Sequence, residues 1–133
     1  MTIEQHLAQL QPDFAAHLRA RWVNAQMVAD FDYLDLKIVC SLRTQADQEK
    51  LYAKGRTEPG PKVTWTRRSK HTTGTAVDFG LFRDGRYMDA VDNTRCYRVY
   101  QKIAKALAHP QLIWLGHIGD PCHFQWMTAK HSL

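Results

Sequence analysis

The sequence predicts an α+β fold, a small antiparallel sheet flanked by helices, and three features carry that prediction. Phe14, Leu18, Trp22 and Ala25 recur at intervals of three and four residues, the period of a helix with one apolar face. Leu34, Leu36, Ile38 and Cys40 alternate with Asp35, Lys37 and Val39, the period of a strand buried on one side. Arg83-Asp84-Gly85-Arg86 is a hairpin signal, because Asp-Gly accepts the left-handed backbone of a two-residue turn.

Taken along the chain, the expected order is helix, strand, helix, long loop, hairpin, helix and two terminal strands. The first helix follows Pro12. After the first strand, Thr44 and Asp47 resemble a capping box with Asp in the usual Glu place, and Gly55 suits the far end, so a helix is expected from about Gln45 to Lys54. The stretch from Arg56 to Lys70 contains Pro59, Gly60 and Pro61 and is too polar for a regular element. A long loop of this kind often forms the rim of a binding site. His71 precedes Thr72-Thr73-Gly74-Thr75, a turn that ends any helix, and Ala76-Val77-Asp78-Phe79 reads as a short strand. Tyr97, Tyr100, Ile103, Ala104 and Leu107 mark another amphipathic helix. Phe124-Gln125-Trp126 closes the chain as a strand.

Length and charge narrow the function classes. A chain of 133 residues is an ordinary single-domain size, and one domain over 1–133 with no separate wall-binding module is expected. No apolar run is long enough to span a bilayer, and Met1-Thr2-Ile3-Glu4-Gln5-His6 lacks the pattern of a signal peptide, so synthesis in the cytoplasm without membrane insertion is expected. Cys40, Cys96 and Cys122 are odd in number and lack CxxC spacing, which argues for reduced thiols rather than a disulfide framework or zinc ribbon. The formal charge of +5 calls for anionic partners. Its basic residues are scattered apart from Arg67, Arg68 and Lys70, with no recognition-helix or RNA-binding motif beside them, which disfavours nucleic acid.

The chemistry is concentrated in two segments. Ser69 to Asp78 supplies His71 and Asp78; Asp120-Pro121-Cys122-His123 supplies a second His and a second Asp. Two neutral imidazoles and one carboxylate are the three-ligand set of an open zinc site, whose fourth position is left for water, whereas a closed structural site takes four protein ligands. Asp120 and His123 stand three apart, so one can hold metal while the other faces that water. Asp78 as ligand and Asp120 as general base divide the two roles.

At these residues the pattern S-x-H-x-x-G-x-A-x-D, followed by D-x-x-H-F, resembles the VanY-like D-alanyl-D-alanine carboxypeptidase family of zinc peptidases. Upstream, Ser41 to Arg56, Pro59-Gly60 and Val63-Thr64 resemble its subgroup of phage L-alanyl-D-glutamate endolysins and related bacterial wall peptidases, and the likeness spans roughly Leu34 to Trp126. The resemblance implies His71, Asp78 and His123 as Zn²⁺ ligands, Asp120 as the base and Arg43 as a cation near the substrate or the developing oxyanion. It implies Gln48 near the same groove and hydrolysis of the L-Ala–D-Glu bond of peptidoglycan stem peptides. Arg56 and Ser69 are further candidate substrate contacts, and a monomer is expected. An enzyme of that kind without a signal peptide reaches the wall, in the periplasm, once the membrane has been permeabilised. Two departures stand out. Ile113 to Gly119 runs directly into Asp120 where the subgroup carries an insertion, and Pro121 is followed by Cys122 where the family places Pro just before the His.

Each residue also has a structural reading. Asp120 suits a turn before Pro121, Arg43 a strand end, and Ser69 the cap of the ligand loop. Trp65, Trp114 and Trp126 suit a core or groove wall; Cys122 suits packing. His117 lies close enough to compete as a ligand or proton carrier. Three alternatives remain open: a D,D-carboxypeptidase or dipeptidase, for which Arg43 and Arg56 are candidate carboxylate receptors; a non-catalytic zinc module of the hedgehog type; and a basic nucleic-acid-binding protein.

Overall fold

The computed structural model describes residues 1–64, 66–89 and 93–128, so Trp65 lies outside the described residues. Four helices and five strands are described: α1 (Ile3–Leu7), α2 (Pro12–Asp30), β1 (Asp35–Cys40), α3 (Gln45–Ala53), β2 (Ala76–Arg83), β3 (Arg86–Tyr87), α4 (Thr94–Ala106), β4 (Leu112–Trp114) and β5 (His123–Trp126). The expected order holds, with one addition. The five-residue α1 is too short to show a period, and it is set by a reciprocal capping box between Thr2 and Gln5 and by burial of His6 and Leu7. The His6 ring meets the Ser41 hydroxyl at 2.7 Å and ties α1 to the end of β1.

Helix α2 starts with Pro12 in its first turn, where the missing N–H costs nothing, and turns Phe14, Ala15, Leu18, Ala25 and Ala29 inward. Thr44 caps α3 by accepting from the Asp47 N–H. Strand β2 runs on to Arg83, past the short strand expected, because Gly80 and Leu81 remain buried under neighbours. Its hairpin turn has Asp84 at φ 50° and Gly85 at φ 77°, the doubly left-handed pair that a primed turn needs. The inward face of α4 includes Cys96 and Val99 beside the expected Tyr100 and Ile103.

The five described strands pair antiparallel, in the order β1-β2-β5-β4, with β3 pairing the end of β2. Val77, Phe79 and Leu81 of β2 point into a core shared with α2 and α4. Phe79 meets Phe124 in a tilted pair at 4.9 Å and Trp22 edge-on at 5.8 Å, while Phe14 stacks on Trp126 at 5.3 Å. Side chains alternate along a strand, so Asp78, between Val77 and Phe79, emerges on the opposite face. Among the described residues no helix is long and apolar enough to cross a membrane, and Cys40, Cys96 and Cys122 are all free thiols.

Candidate metal and active site

One row across the sheet assembles most of the site. Cys40 of β1 is in register with Asp78 of β2, and Asp78 in turn with His123 of β5. A register irregularity between Ile38 and Cys40 gives the β1 strand an extra residue, so Ile38 faces the core while Cys40 comes into line with Asp78. His71 arrives from outside the sheet, on a 3₁₀ turn at Lys70–Thr73. Ser69 caps that turn by accepting the His71 N–H, Gly74 ends it in the left-handed region, and the Arg43 N–H donates to the His71 carbonyl at 2.9 Å.

Both imidazoles converge on one carboxylate. His71 Nε2 lies 3.3 Å from Asp78 Oδ2, and His123 Nδ1 lies 3.0 Å from Asp78 Oδ1. The far nitrogen of each ring is anchored. His71 Nδ1 donates to the Ser41 carbonyl at 3.1 Å, and His123 Nε2 donates to Gln125 Oε1 at 3.0 Å. A carbonyl can only accept, so Nδ1 of His71 carries a proton and Nε2 is the nitrogen available to a metal. Such outer hydrogen bonds fix ring orientation at metal-binding histidines. Adjacent ligand atoms of a tetrahedral zinc with bonds of about 2.0 to 2.1 Å are about 3.3 Å apart, close to the two spacings here. The donors suit zinc.

The cluster has a member that the sequence did not single out. Cys40, His71 and Asp78 offer donor atoms that all lie within 4.8 Å of one another, while His123 joins them through Asp78. Cys40 Sγ is 3.6 Å from His71 Nδ1 and 3.4 Å from the Arg43 guanidinium, which donates to it. Burial opposes the thiolate, yet His71 and Arg43 together hold the Cys40 thiol below its ordinary value. The missing signal was register: Cys40 reads as the last residue of an alternating strand until its pairing with Asp78 is known.

Electrostatics follow from the crowding of these groups. Burial works against a charged His71, but the Asp78 carboxylate and the Cys40 sulfur outweigh it and push the imidazole up to about 10. Burial likewise opposes ionised Asp78, and the hydrogen bonds from His123 and His71 hold it well below the usual carboxylate range. Asp120 moves the other way. Partial desolvation raises its carboxyl, aided by repulsion from Asp78 and opposed by the two imidazoles.

His71, Asp78, His123 and Asp120 open into a cleft of about 570 Å³ whose walls also include Arg43, Ser69 and Gln125. The Arg56-to-Lys70 loop does form its rim, through Val63, Thr64, Thr66, Arg68, Ser69 and Lys70. Trp114 donates its indole N–H to the Pro121 carbonyl at 2.7 Å, which fixes the loop between Asp120 and His123, while Trp126 belongs to the core. Of the expected substrate contacts, Gln48 is corrected by its burial and Arg56 is not among the cleft walls. Gln48 is fully buried; it accepts from Arg43 at 2.6 Å and donates to the Thr66 carbonyl at 2.8 Å, so it positions Arg43 and the rim loop from behind. Arg56 donates to the carbonyls of Tyr52 and Thr64 and lies 3.8 Å above the Tyr52 ring, away from the cleft walls. Their amide and guanidinium groups are used in holding the loop. Ser69 lines the cleft and also caps the His71 turn, so its hydroxyl has a structural partner. His117 is exposed on a 3₁₀ turn at Gly116–Ile118 and does not line the cleft.

The architecture is one that solved peptidases share. The first is the Serratia marcescens L-Ala D-Glu endopeptidase ChiX, with a TM-score of 0.66 at 22% identity over 99% of this chain and 91% of that one. The second is a variant of the vancomycin resistance D,D-pentapeptidase VanY from a VanB-type resistance cassette, in complex with Zn(II), with a TM-score of 0.52 at 14% identity over 86% of this chain and 73% of that one. At these identities the likeness is one of fold. No protein-family model matches the chain, and no curated protein matches it.

Proposed function

We propose that the protein is a zinc-dependent peptidase of peptidoglycan stem peptides, and that it cleaves the L-Ala–D-Glu amide bond. The observation that carries this reading is the convergence of two back-anchored imidazoles on Asp78 at the floor of a cleft that Asp120 also lines. Both solved peptidases of this fold add support: one cleaves L-Ala–D-Glu, and the other is a D,D-pentapeptidase that holds Zn(II).

His71, Asp78 and His123 are the proposed ligands, and zinc bound there supplies Lewis acidity to the scissile carbonyl and to water. The chain's own residues do the rest. Asp120, with its carboxyl raised by partial desolvation, is placed to take a proton from the attacking water and deliver it to the leaving amine. Arg43, fixed by Gln48 and Cys40, presents positive charge to the oxygen that becomes negative as the carbonyl is attacked. The Ser41 carbonyl and Gln125 keep the two imidazoles aimed at the same point.

The experiment is digestion of purified peptidoglycan with mass spectrometry of the products, alongside elemental analysis. About one zinc per chain is expected, with new L-Ala C-termini and D-Glu N-termini that disappear on chelation. His71→Ala and His123→Ala should lose metal and activity together. Release of free D-Ala alone would transfer the reading to a D,D-carboxypeptidase, and full zinc occupancy in both variants would remove the ligand assignment.

A further inference from the structure

The cleft does not end at the metal-binding cluster. It shares Arg68, Ser69 and Lys70 with an adjoining open groove whose other walls include Gln11, Thr72 and Thr75. Arg68 and Lys70 therefore stand on the ridge between the two. Other cations of this region are already engaged. Arg43 is held by Gln48 and Cys40, Arg56 by backbone carbonyls and the Tyr52 ring, and Arg67 lies 5.6 Å over the same ring. Among the described residues neither Arg68 nor Lys70 forms an ion pair. Arg68 is exposed and Lys70 half-buried, so both charges reach solvent at the cleft mouth.

The backbone beneath them is held firmly. Thr66 Oγ1 donates to the Arg68 carbonyl at 2.7 Å and accepts the Arg68 N–H at 3.0 Å. The Lys70 carbonyl accepts from the Thr75 N–H at 3.0 Å and the Thr73 hydroxyl at 3.1 Å. Two cations on an ordered ridge, two residues apart and beside a peptide-sized cleft, match an anionic group on a bound peptide. In a stem peptide, D-Glu is linked onward through its side chain, which leaves its α-carboxyl either free or amidated.

We propose that Arg68 and Lys70 form a carboxylate-recognition subsite, which makes the protein select stem peptides with a free D-Glu α-carboxylate over amidated ones. The inference rests on the peptidase reading above for its choice of ligand. The adjoining hydroxyl- and amide-lined groove takes the peptide beyond that residue, where uncharged donors and acceptors suit backbone amides.

The test uses two synthetic tripeptides, L-Ala-γ-D-Glu-L-Lys and its D-isoglutamine counterpart, with zinc-loaded protein. Binding is followed by calorimetry, and cleavage by mass spectrometry. Wild-type protein is expected to bind the free acid about fivefold more tightly, the upper end for exposed ion pairs. The preference should shrink as salt rises. Arg68→Gln combined with Lys70→Gln should abolish the preference, read as the ratio of Kd and of KM between the two peptides; Arg68→Lys should keep part of it. Equal binding of the two peptides, no binding of either, or a preference that survives the double variant overturns the subsite. Cleavage without preference refutes the subsite and leaves the peptidase reading standing. Preferential binding without cleavage does the reverse.

Discussion

Asp120 and Asp78 are two carboxylates in one cleft with opposite surroundings. Asp78 accepts from both imidazoles and stays ionised, whereas desolvation raises Asp120 and makes it the better proton carrier. Asp120→Asn is accordingly expected to keep its zinc and lose about two to four orders of magnitude in kcat. Loss of zinc in that variant, measured by elemental analysis, would instead make Asp120 a ligand. His71 allows a test that needs no substrate. An imidazole of the unfolded chain titrates at about 6.5, and that of the metal-free protein at about 10. Because the folded value is the higher one, the stabilisation is complete below the unfolded value and disappears as pH rises through the folded value. The Tm of chelated protein should thus fall between pH 7 and pH 10. Zinc-loaded protein, in which His71 is neutral, should fall less. A chelated protein whose Tm is flat over that range would rule out the His71–Asp78 ion pair.

At the scale of elements, the His71 turn depends on what lies under it. Gly74 ends the turn at φ 72°, and a Cβ there would sit 2.9 Å from the Gln9 carbonyl oxygen in the connection between α1 and α2. Gly74→Ala combines left-handed strain of about 1 to 2 kcal/mol with that contact. Its expected result is a Tm lower by several degrees together with weaker zinc affinity, since the strain is relieved by moving the turn that carries His71. An unchanged Tm and affinity would mean that the α1–α2 connection yields freely. The segment reading of this region was largely legible: Thr44, Gly55, Pro59 and Gly74 mark their boundaries through local backbone chemistry. Gln48 and Arg56 were not, because whether a polar side chain faces the cleft or the loop behind it is decided by neighbours distant in sequence.

For the whole molecule, the core sets the precision of the site. Phe124 sits beside His123 in sequence but points the other way, between Phe79 at 4.9 Å and Trp114 at 6.4 Å. Truncating so large a buried ring typically costs about 3 to 5 kcal/mol. Phe124→Ala should lower the denaturation midpoint accordingly, with the denaturant slope unchanged, and should weaken zinc binding because β5 holds His123 in line with Asp78. Full stability would mean that the α2–α4 layer carries the sheet without this ring.

Periods of two and of three to four, turn residues and caps are local properties, so the sequence alone determined β1, α2, α3, α4, the hairpin and the α+β class. The same holds for the candidate chemistry, because His71, Asp78, Asp120 and His123 lie in two compact motifs whose residue types suit a zinc site. Tertiary structure decided the rest. The strand register that lines up Cys40, Asp78 and His123, the back-anchoring of the imidazoles by Ser41 and Gln125, and the ridge of Arg68 and Lys70 all depend on pairings between distant segments. A strand reveals from its own residues which of them alternate, but only its partner fixes which residue each one faces.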